Sequence, residues 1–384
     1  MPVSHHTAAF LSTYAADTSG VCSALYELGG MTVIHDASGC NSTYNTHDEP
    51  RWYDMDSLVY ISALTEIEAI MGDDERWICD VIRTAKELRP AFITLCSSPV
   101  PMMTGTDLDA EAAMIERETG ILTSAVHTNG MHSYVHGAGK AFRMIAERLV
   151  DEECHEHRGD KIVVNILGVT PLDFSVCGAE RVFREVLLAH GFDVESCWAM
   201  GESLDQIRKA GNADVNLVVS ETGLDAAHAL QSRFGIPYVL GTPVSEKQTN
   251  ALLESLRQAA SDRESRRSKA ADFPSDIVLI GEGIQALSLA DAIEADFGIR
   301  PQVICPTEPS EGIRPLLIDA RDEEEIIPLI QGAAVVIADP LYRPVVSASS
   351  TFIPWPHEAC SGRIFQRDMK TPADFYRFLK TCIH

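Results

Sequence analysis

Three of the ten cysteines stand where a thiol could do chemistry rather than fill a core. Cys22 closes Thr18-Ser-Gly-Val-Cys, just ahead of an expected helix. Cys40 ends Val33-Ile-His-Asp-Ala-Ser-Gly-Cys, an expected strand followed by a glycine turn, and Cys96 ends the expected strand Phe92-Ile-Thr-Leu-Cys. A thiol at such a terminus reaches the ligand-bearing edge of a parallel sheet, and a helix N-terminus there favours the thiolate. Soft thiolates suit an iron–sulfur cluster or zinc. Spacing alone, with no CxxC pair, favours three unrelated buried cysteines.

Other patterns compete for attention. Gly281-Glu-Gly283-Ile-Gln-Ala286 follows an expected strand and opens a helix, the form of a dinucleotide fingerprint. Its acidic ribose partner would be Glu308, and an NAD-dependent dehydrogenase is the function this reading implies. A tight strand–helix turn without nucleotide explains the same residues. Gly137-Ala-Gly-Lys140 fails as an ATP-binding loop, because Tyr134 stands where the first glycine is required. Cys154-His155-Glu156-His157 crowds its donors into a charged linker. His127, His132 and His136 lack the adjacent glutamate of a zinc protease and read as pocket lining or surface. Cys177 is expected at a strand-to-helix crossing facing a central cleft, while His357 and Arg363 lie in a late loop that could line it. Cys79, Cys197, Cys305 and Cys382 read as core.

The elements that must position these residues alternate. Twelve short β-branched runs are expected as strands: Met31–Asp36, Leu58–Ser62, Ala91–Cys96, Ile121–His127, Lys161–Gly168, Val194–Trp198, Val215–Ser220, Tyr238–Gly241, Asp276–Gly281, Gln302–Cys305, Pro315–Asp319 and Ala333–Ala338. Apolar residues three and four apart predict helices over Glu75–Glu87, Asp109–Thr119 and Gly139–Glu152. Such alternation predicts an α/β fold: three Rossmann-like parallel-sheet domains around a central cleft. Charged stretches at Asp151–Asp160 and Ser261–Ser275 divide the 384 residues into domains 1–155, 156–272 and 273–384.

Composition narrows the function. With 31 Lys+Arg against 56 Asp+Glu, the net charge of −25 repels phosphate backbones, so no nucleic-acid partner is expected. No run of 18 apolar residues offers a membrane span, and Met1 to Ala16 carries no Lys or Arg for a secretory leader. The expected compartment is the cytoplasm, where cysteines stay reduced or bind metal.

In order and context, the run from Cys22 to Asp107 resembles the first domain of the nitrogenase component 1 family. That family includes the molybdenum–iron protein, the dark-operative protochlorophyllide and chlorophyllide reductases, and the nickel-sirohydrochlorin reductive cyclase. The stretches that carry the resemblance are Cys22-Ser-Ala-Leu-Tyr-Glu-Leu-Gly-Gly, His35-Asp-Ala-Ser-Gly-Cys40, Ser62-Ala-Leu-Thr-Glu66, Ile70-Met-Gly-Asp, and Cys96-Ser-Ser-Pro-Val-Pro-Met-Met-Thr-Gly-Thr-Asp107. Asn165-Ile-Leu-Gly-Val-Thr-Pro, Phe234-Gly-Ile-Pro and Phe352-Ile-Pro are similar more loosely.

The resemblance implies a nitrogenase-like oxidoreductase that relays electrons through an iron–sulfur cluster to a small-molecule substrate in the cleft. Cys22, Cys40 and Cys96 would be this chain's ligands, and the cluster, 4Fe-4S or larger, would lie at a subunit interface. A cubane needs four ligands, so a partner supplies one, or two copies share a larger cluster. A homodimer or a heterotetramer with a similar subunit follows. Electrons would come from a separate ATP-hydrolysing iron–sulfur reductase, docking near Asp107–Glu118. His35 and Glu66 are candidates for proton handling beside the cluster, and His357 for the cleft. The short stretch ahead of Cys22 resembles the tetrapyrrole-reducing or cyclase branches. A non-catalytic scaffold for cluster or cofactor assembly is the alternative.

Overall fold

A computed structural model of the chain describes residues 15–39, 49–152, 159–270 and 274–382. Cys40 and the Cys154–His157 run therefore lie outside the described residues. Three sheets form, every strand pairing parallel. The first holds β1 (Met31–His35), β2 (Leu58–Ile61), β3 (Ile93–Ser97) and β4 (Thr123–Val126) in the order β2-β1-β3-β4. The second holds β5 (Val163–Leu167), β6 (Asp193–Cys197), β7 (Val215–Val218) and β8 (Tyr238–Leu240) in the order β6-β5-β7-β8. The third adds β9 (Ile277–Ile280), β10 (Gln302–Cys305), β11 (Ile318–Asp319), β12 (Val335–Ala338) and β13 (Thr351–Pro354), ordered β11-β10-β9-β12-β13.

Each expected strand run overlaps an observed strand, and β3 and β6 are each displaced by one residue at one end. β13 escaped the sequence reading because it is a short edge strand that ends in proline and buries only Ile353. The central strands β1, β3, β5, β7 and β9 are buried at every position, which is why their sequences run apolar without alternation.

Strand order fixes where ligands can sit. In each sheet the chain works outward from one strand and then crosses to its other side, so crevices open beyond β1/β3, β5/β7 and β9/β12. Cys96 stands at the carboxyl end of β3, and the segment leading to Cys40 leaves β1. Asp173 follows β5, Ser220 to Thr222 follow β7, Glu282 follows β9 and Asp339 follows β12.

Six helices serve the first sheet: α1 (Asp17–Leu25), α2 (Glu66–Met71), α3 (Glu75–Leu88), α4 (Pro99–Thr104), α5 (Leu108–Thr119) and α6 (Tyr134–Arg148). α6 starts five residues earlier than its periodicity predicts. The cause is its glycine-rich first turns, which pack against α1 rather than presenting an apolar stripe. A Cβ on Gly20 would lie 2.0 Å from the Tyr134 carbonyl oxygen, and one on Gly137 would lie 1.8 Å from that of Asp17. The loop that resembled a phosphate cradle is thus a close helix crossing. Among the described residues no helix is long and apolar enough to cross a membrane.

Candidate functional site

Two of the three singled-out cysteines meet. Cys22 and Cys96 are both fully buried in the same core cluster, their thiols close enough to act on each other. Cys22 does not precede a helix as expected; it lies in the second turn of α1. The helix begins at Asp17, whose carboxylate accepts the backbone N–H of Thr18 (2.8 Å), Gly130 (2.8 Å) and Asn129 (3.0 Å). This correction removes the expected N-terminal help to the thiolate. Burial instead pushes the Cys22 thiol well up, with Cys96 and the Glu49 carboxylate adding to it. The Cys22 thiol keeps its proton until something binds that displaces it, as a soft metal does. Thr18 Oγ1 reaches the carbonyl of Ser97 (3.4 Å), tying α1 to the strand end beside Cys96.

The segment leading back from Cys40 is anchored by a residue the sequence reading missed. Arg51 is buried and donates from Nε to Glu49 (2.6 Å), from Nη1 to Glu27 (2.9 Å) and from Nη2 to the carbonyl of Ser23 (2.7 Å). It clamps the chain that returns after Cys40 onto α1, one residue from Cys22. Paired acids at positions 27 and 49 around a single arginine were the available signal. Arg363 Nη2 reaches the carbonyl of Glu49 (3.1 Å), so it belongs to this region rather than to a loop of the cleft alone.

His35 ends β1 and is buried. Its Nδ1 pairs with Ser62 Oγ at 2.8 Å, and its ring stacks on Trp77 with centroids 4.4 Å apart. Glu66 opens α2 with its side chain exposed. The carboxylate engaged there is Glu68, which forms a capping box with Thr65 and pairs with Arg76.

A second constellation lies where the three sheets' carboxyl ends converge. The buried Asp173 accepts from Tyr134 Oη (2.6 Å), Thr170 Oγ1 (2.6 Å), Ser220 Oγ (2.8 Å), Thr222 Oγ1 (3.1 Å) and Gln285 Nε2 (3.3 Å). Glu221 accepts from Ser310, and Glu282 accepts the backbone N–H of Glu221 at 2.8 Å. Burial pushes Asp173 up to about 6 and Glu221 up to about 7, and raises Glu282 further with the neighbouring acids contributing. His357 joins them, its Nε2 3.8 Å from Asp173, with neither ring nitrogen hydrogen-bonded. Burial lowers it to about 4. Phe174, Leu289, Trp355 and Phe375 wall a small cavity beside His357 and Asp173. Asp173, Glu221 and Glu282 were not singled out in sequence, since each stands in an unremarkable strand-to-helix turn.

The dinucleotide fingerprint has the expected strand–turn–helix context but no room for a pyrophosphate. The helix Gly283–Phe297 is capped by Glu282 itself, which accepts from Ile284 N (3.1 Å) and Gln285 N (2.9 Å). A Cβ on Gly281 would meet Trp355, and one on Gly283 would lie 2.7 Å from a Glu221 carboxylate oxygen. Two carboxylates hold the place of the phosphates, so Gly281, Gly283 and Ala286 serve packing. Glu308 pairs instead with His132 (3.2 Å) and Arg321 (2.9 Å).

The remaining histidines and cysteines disperse. His127 pairs with Asp109 on the surface and His136 stacks near His132. Cys177 is half-buried, its thiol 3.0 Å from the Phe174 carbonyl, and it packs on the core of the second sheet. Cys197 and Cys305 are buried as expected, but Cys79 and Cys382 are exposed. Both of the latter sit on the outer faces of amphipathic helices, a side that sequence proximity to apolar residues did not reveal. Among the described residues no group of three or more metal-binding side chains is assembled.

A profile of the family described as nitrogenase component 1 type oxidoreductase matches residues 20–327. One of the subunits of the light-independent protochlorophyllide reductase of Nostoc punctiforme is 24% identical over 195 residues, 49% of this chain and 38% of that protein. The chain thus matches well under half the length of that relative. The nitrogenase iron-molybdenum cofactor biosynthesis protein NifE of Klebsiella pneumoniae is 22% identical over 346 residues, 81% of this chain and 74% of that one. A solved structure named "Nitrogenase Cp1 at pH 6.5" superposes with a TM-score of 0.71 at 15% identity, covering 99% of this chain and 93% of its own. At that identity the likeness speaks for the fold.

Proposed function

The chain belongs to the nitrogenase component 1 type oxidoreductase family, and from that premise we propose that it is the catalytic component of a nitrogenase-like two-component reductase. Cys22, Cys40 and Cys96 hold an iron–sulfur cluster at a subunit interface. The cluster, when bound, carries electrons from an ATP-hydrolysing iron–sulfur reductase toward a small-molecule substrate in the central cleft. The three sheets serve as cores of domains 1–155, 156–272 and 273–384.

The observation that carries this reading is the contact between Cys22 and Cys96, two buried thiols brought together from α1 and β3. Soft, adjacent, desolvated sulfurs fit iron–sulfur ligation, and the Arg51 clamp steadies the segment bearing the third. The chain's own part is to exclude water from the thiols and to fix their spacing. Ile67, Ile70 and Met71 of α2, with Met102 and Met103 of α4, are exposed beside this end of the sheet. Such a patch favours burial by a similar subunit, in a homodimer or a heterotetramer. The reductase would dock near Asp107–Glu118. A tetrapyrrole is the substrate class we favour, on the likeness to the protochlorophyllide reductase.

Likeness to NifE over most of both chains favours a second reading, a scaffold on which a metal cofactor is assembled. The test begins with anaerobic purification. Iron and sulfide should accompany the protein, and Cys96→Ser or Cys22→Ser should lose them while the chain stays folded. Iron retained in both variants refutes the cluster site. Substrate turnover that needs the reductase and ATP marks a catalyst; transfer of a preformed cluster to another protein marks a scaffold.

A further inference from the structure

On the outer side of the first sheet, away from the three-sheet junction, a line of acids leads inward from solvent. A groove of about 760 Å³ runs between α3 and α5, and its lining includes Asp74, Asp107 and Glu111 among Ile78, Ile82 and Met114. Glu111 is 6% exposed and one of its carboxyl oxygens, Oε2, is buried without a hydrogen-bond partner. The Asp74 carboxyl lines the same groove beside it and adds to the proton affinity of Glu111. Asp74 Oδ1 accepts the indole N–H of Trp77 (3.3 Å) and stands 3.8 Å from His35 Nε2. That nitrogen is buried and unpartnered, while Nδ1 on the far side of the ring pairs with Ser62 Oγ.

We propose that Glu111, Asp74 and His35 form a proton relay from the α3/α5 groove to the cysteine-bearing end of the first sheet. Glu111 hands its proton to the adjoining Asp74 and regains one from water in the groove, and Asp74 passes the proton to His35 Nε2 once side-chain rotation closes about 1 Å. The proton rests there: the imidazolium keeps its Nδ1–H bond to Ser62 Oγ, and its charge stands at the strand end where β1 runs beside β3 and Cys96. Only O–H and N–H bonds change hands, and no electron moves along the relay. The destination rests on the cluster reading above: an electron delivered there by the iron–sulfur reductase is balanced by this proton.

The surrounding charges suit the role. Burial, with Asp74 and Asp107 adding, pushes Glu111 up to about 8, so it holds a proton at neutral pH. Burial lowers His35, while Asp74, Asp36 and Glu68 oppose that and Arg76 adds to it. Glu75, Arg117 and Glu118 complete the charged rim of the groove.

Trp77 is a built-in reporter, stacked on the imidazole and bonded to Asp74. Its emission, isolated from Trp52, Trp198 and Trp355 by subtracting a Trp77→Phe titration, should change in two steps. One belongs to His35 below its usual range, where imidazolium quenches the indole, and one lies near pH 8 for Glu111. Glu111→Gln should abolish the upper step and keep the lower; Asp74→Asn should move the lower step down, since Asp74 raises His35. An upper step that survives Glu111→Gln, or a lower step unmoved by Asp74→Asn, overturns the relay. In the cluster-loaded protein, a pH dye should record proton uptake on dithionite reduction. Glu111→Gln should slow uptake at least about tenfold without slowing reduction of the cluster. Equal uptake rates refute the relay. A chain that binds no iron refutes the cluster reading instead, and the emission titration of that chain still decides the relay.

Discussion

The phenol of Tyr134 donates a 2.6 Å hydrogen bond to Oδ1 of Asp173, joining the first residue of α6 to a turn beyond β5 at a point neither residue exposes. Ser220 and Thr222 reach the same carboxyl from beyond β7, and Gln285 from the helix after β9. One side chain is therefore shared by all three sheets. Thr170, Tyr134, Ser220 and Thr222 lower its proton affinity, yet desolvation is the larger effect and leaves it raised.

That balance gives a pH dependence of unusual sign. Asp173 at about 6, with Glu221 and Glu358 at about 7, all lie above the ordinary carboxyl value near 4. The folded chain then holds more protons than the unfolded chain between about pH 4 and 7. Their contribution to stability is fully present below about pH 4 and is lost as pH rises through 6 to 7. These groups should lower the unfolding free energy by a few kcal/mol across that window, and Asp173→Asn should flatten the fall. Urea midpoints at a series of pH values measure it; a wild-type slope unchanged in Asp173→Asn counts against this account.

Tyr134→Phe removes one donor without opening a cavity. It should cost about 1–2 kcal/mol, because a fully buried carboxyl loses a close partner. Since the phenol lowers Asp173, the carboxyl should titrate higher in the variant, and the pH-dependent fall in stability should move upward with it. Equilibrium unfolding of the two proteins side by side checks both.

Arg51 makes a stronger case. Burial works against its charge, but Glu49 and Glu27 outweigh that and hold it firmly protonated. Arg51→Met would take the countercharge from two carboxylates, Glu49 wholly buried and Glu27 nearly so. The expected loss is about 3–5 kcal/mol at neutral pH. Arg51→Lys keeps the charge but not the three-way fork to Glu49, Glu27 and Ser23, and should fall between. Iron content of both variants should drop with stability if the clamp steadies the segment carrying Cys40.

What the sequence made legible follows from which signals are local. Strands announced themselves because a buried parallel strand is a short run of β-branched residues. β13 did not, because Pro354 and three at least partly exposed positions dilute its pattern. Cys22 and Cys96 stood out as residue types, but their contact depends on α1 starting at Asp17, and that start depends on Asp17 capping a loop over a hundred residues away. Gly281 and Gly283 read as a phosphate turn because glycine spacing records only the absence of a Cβ. What fills the space, Trp355 and Glu221, comes from elsewhere in the chain. Asp173, Arg51 and Glu111 carry no local mark at all; their partners converge only after the sheets form.

The crossing of α1 and α6 tests how tightly Cys22 is placed. Gly137→Ala would put a methyl 1.8 Å from the Asp17 carbonyl oxygen, and Gly20→Ala one 2.0 Å from that of Tyr134. Both obstacles are backbone, so the helices must part rather than a side chain turn away. Overpacking of this kind costs about 1–3 kcal/mol and displaces α1. Gly139→Ala is the control on the same helix: its nearest neighbour is the Asp225 carboxylate at 3.1 Å, a side chain free to move. That variant should be neutral or gain up to about 1 kcal/mol from helix propensity. Unfolding midpoints rank the three. Iron bound per chain should fall for Gly20→Ala and Gly137→Ala and hold for Gly139→Ala, since only the first two move the thiol of Cys22 away from Cys96. Equal iron in all three would mean that the sulfur pair does not depend on this crossing.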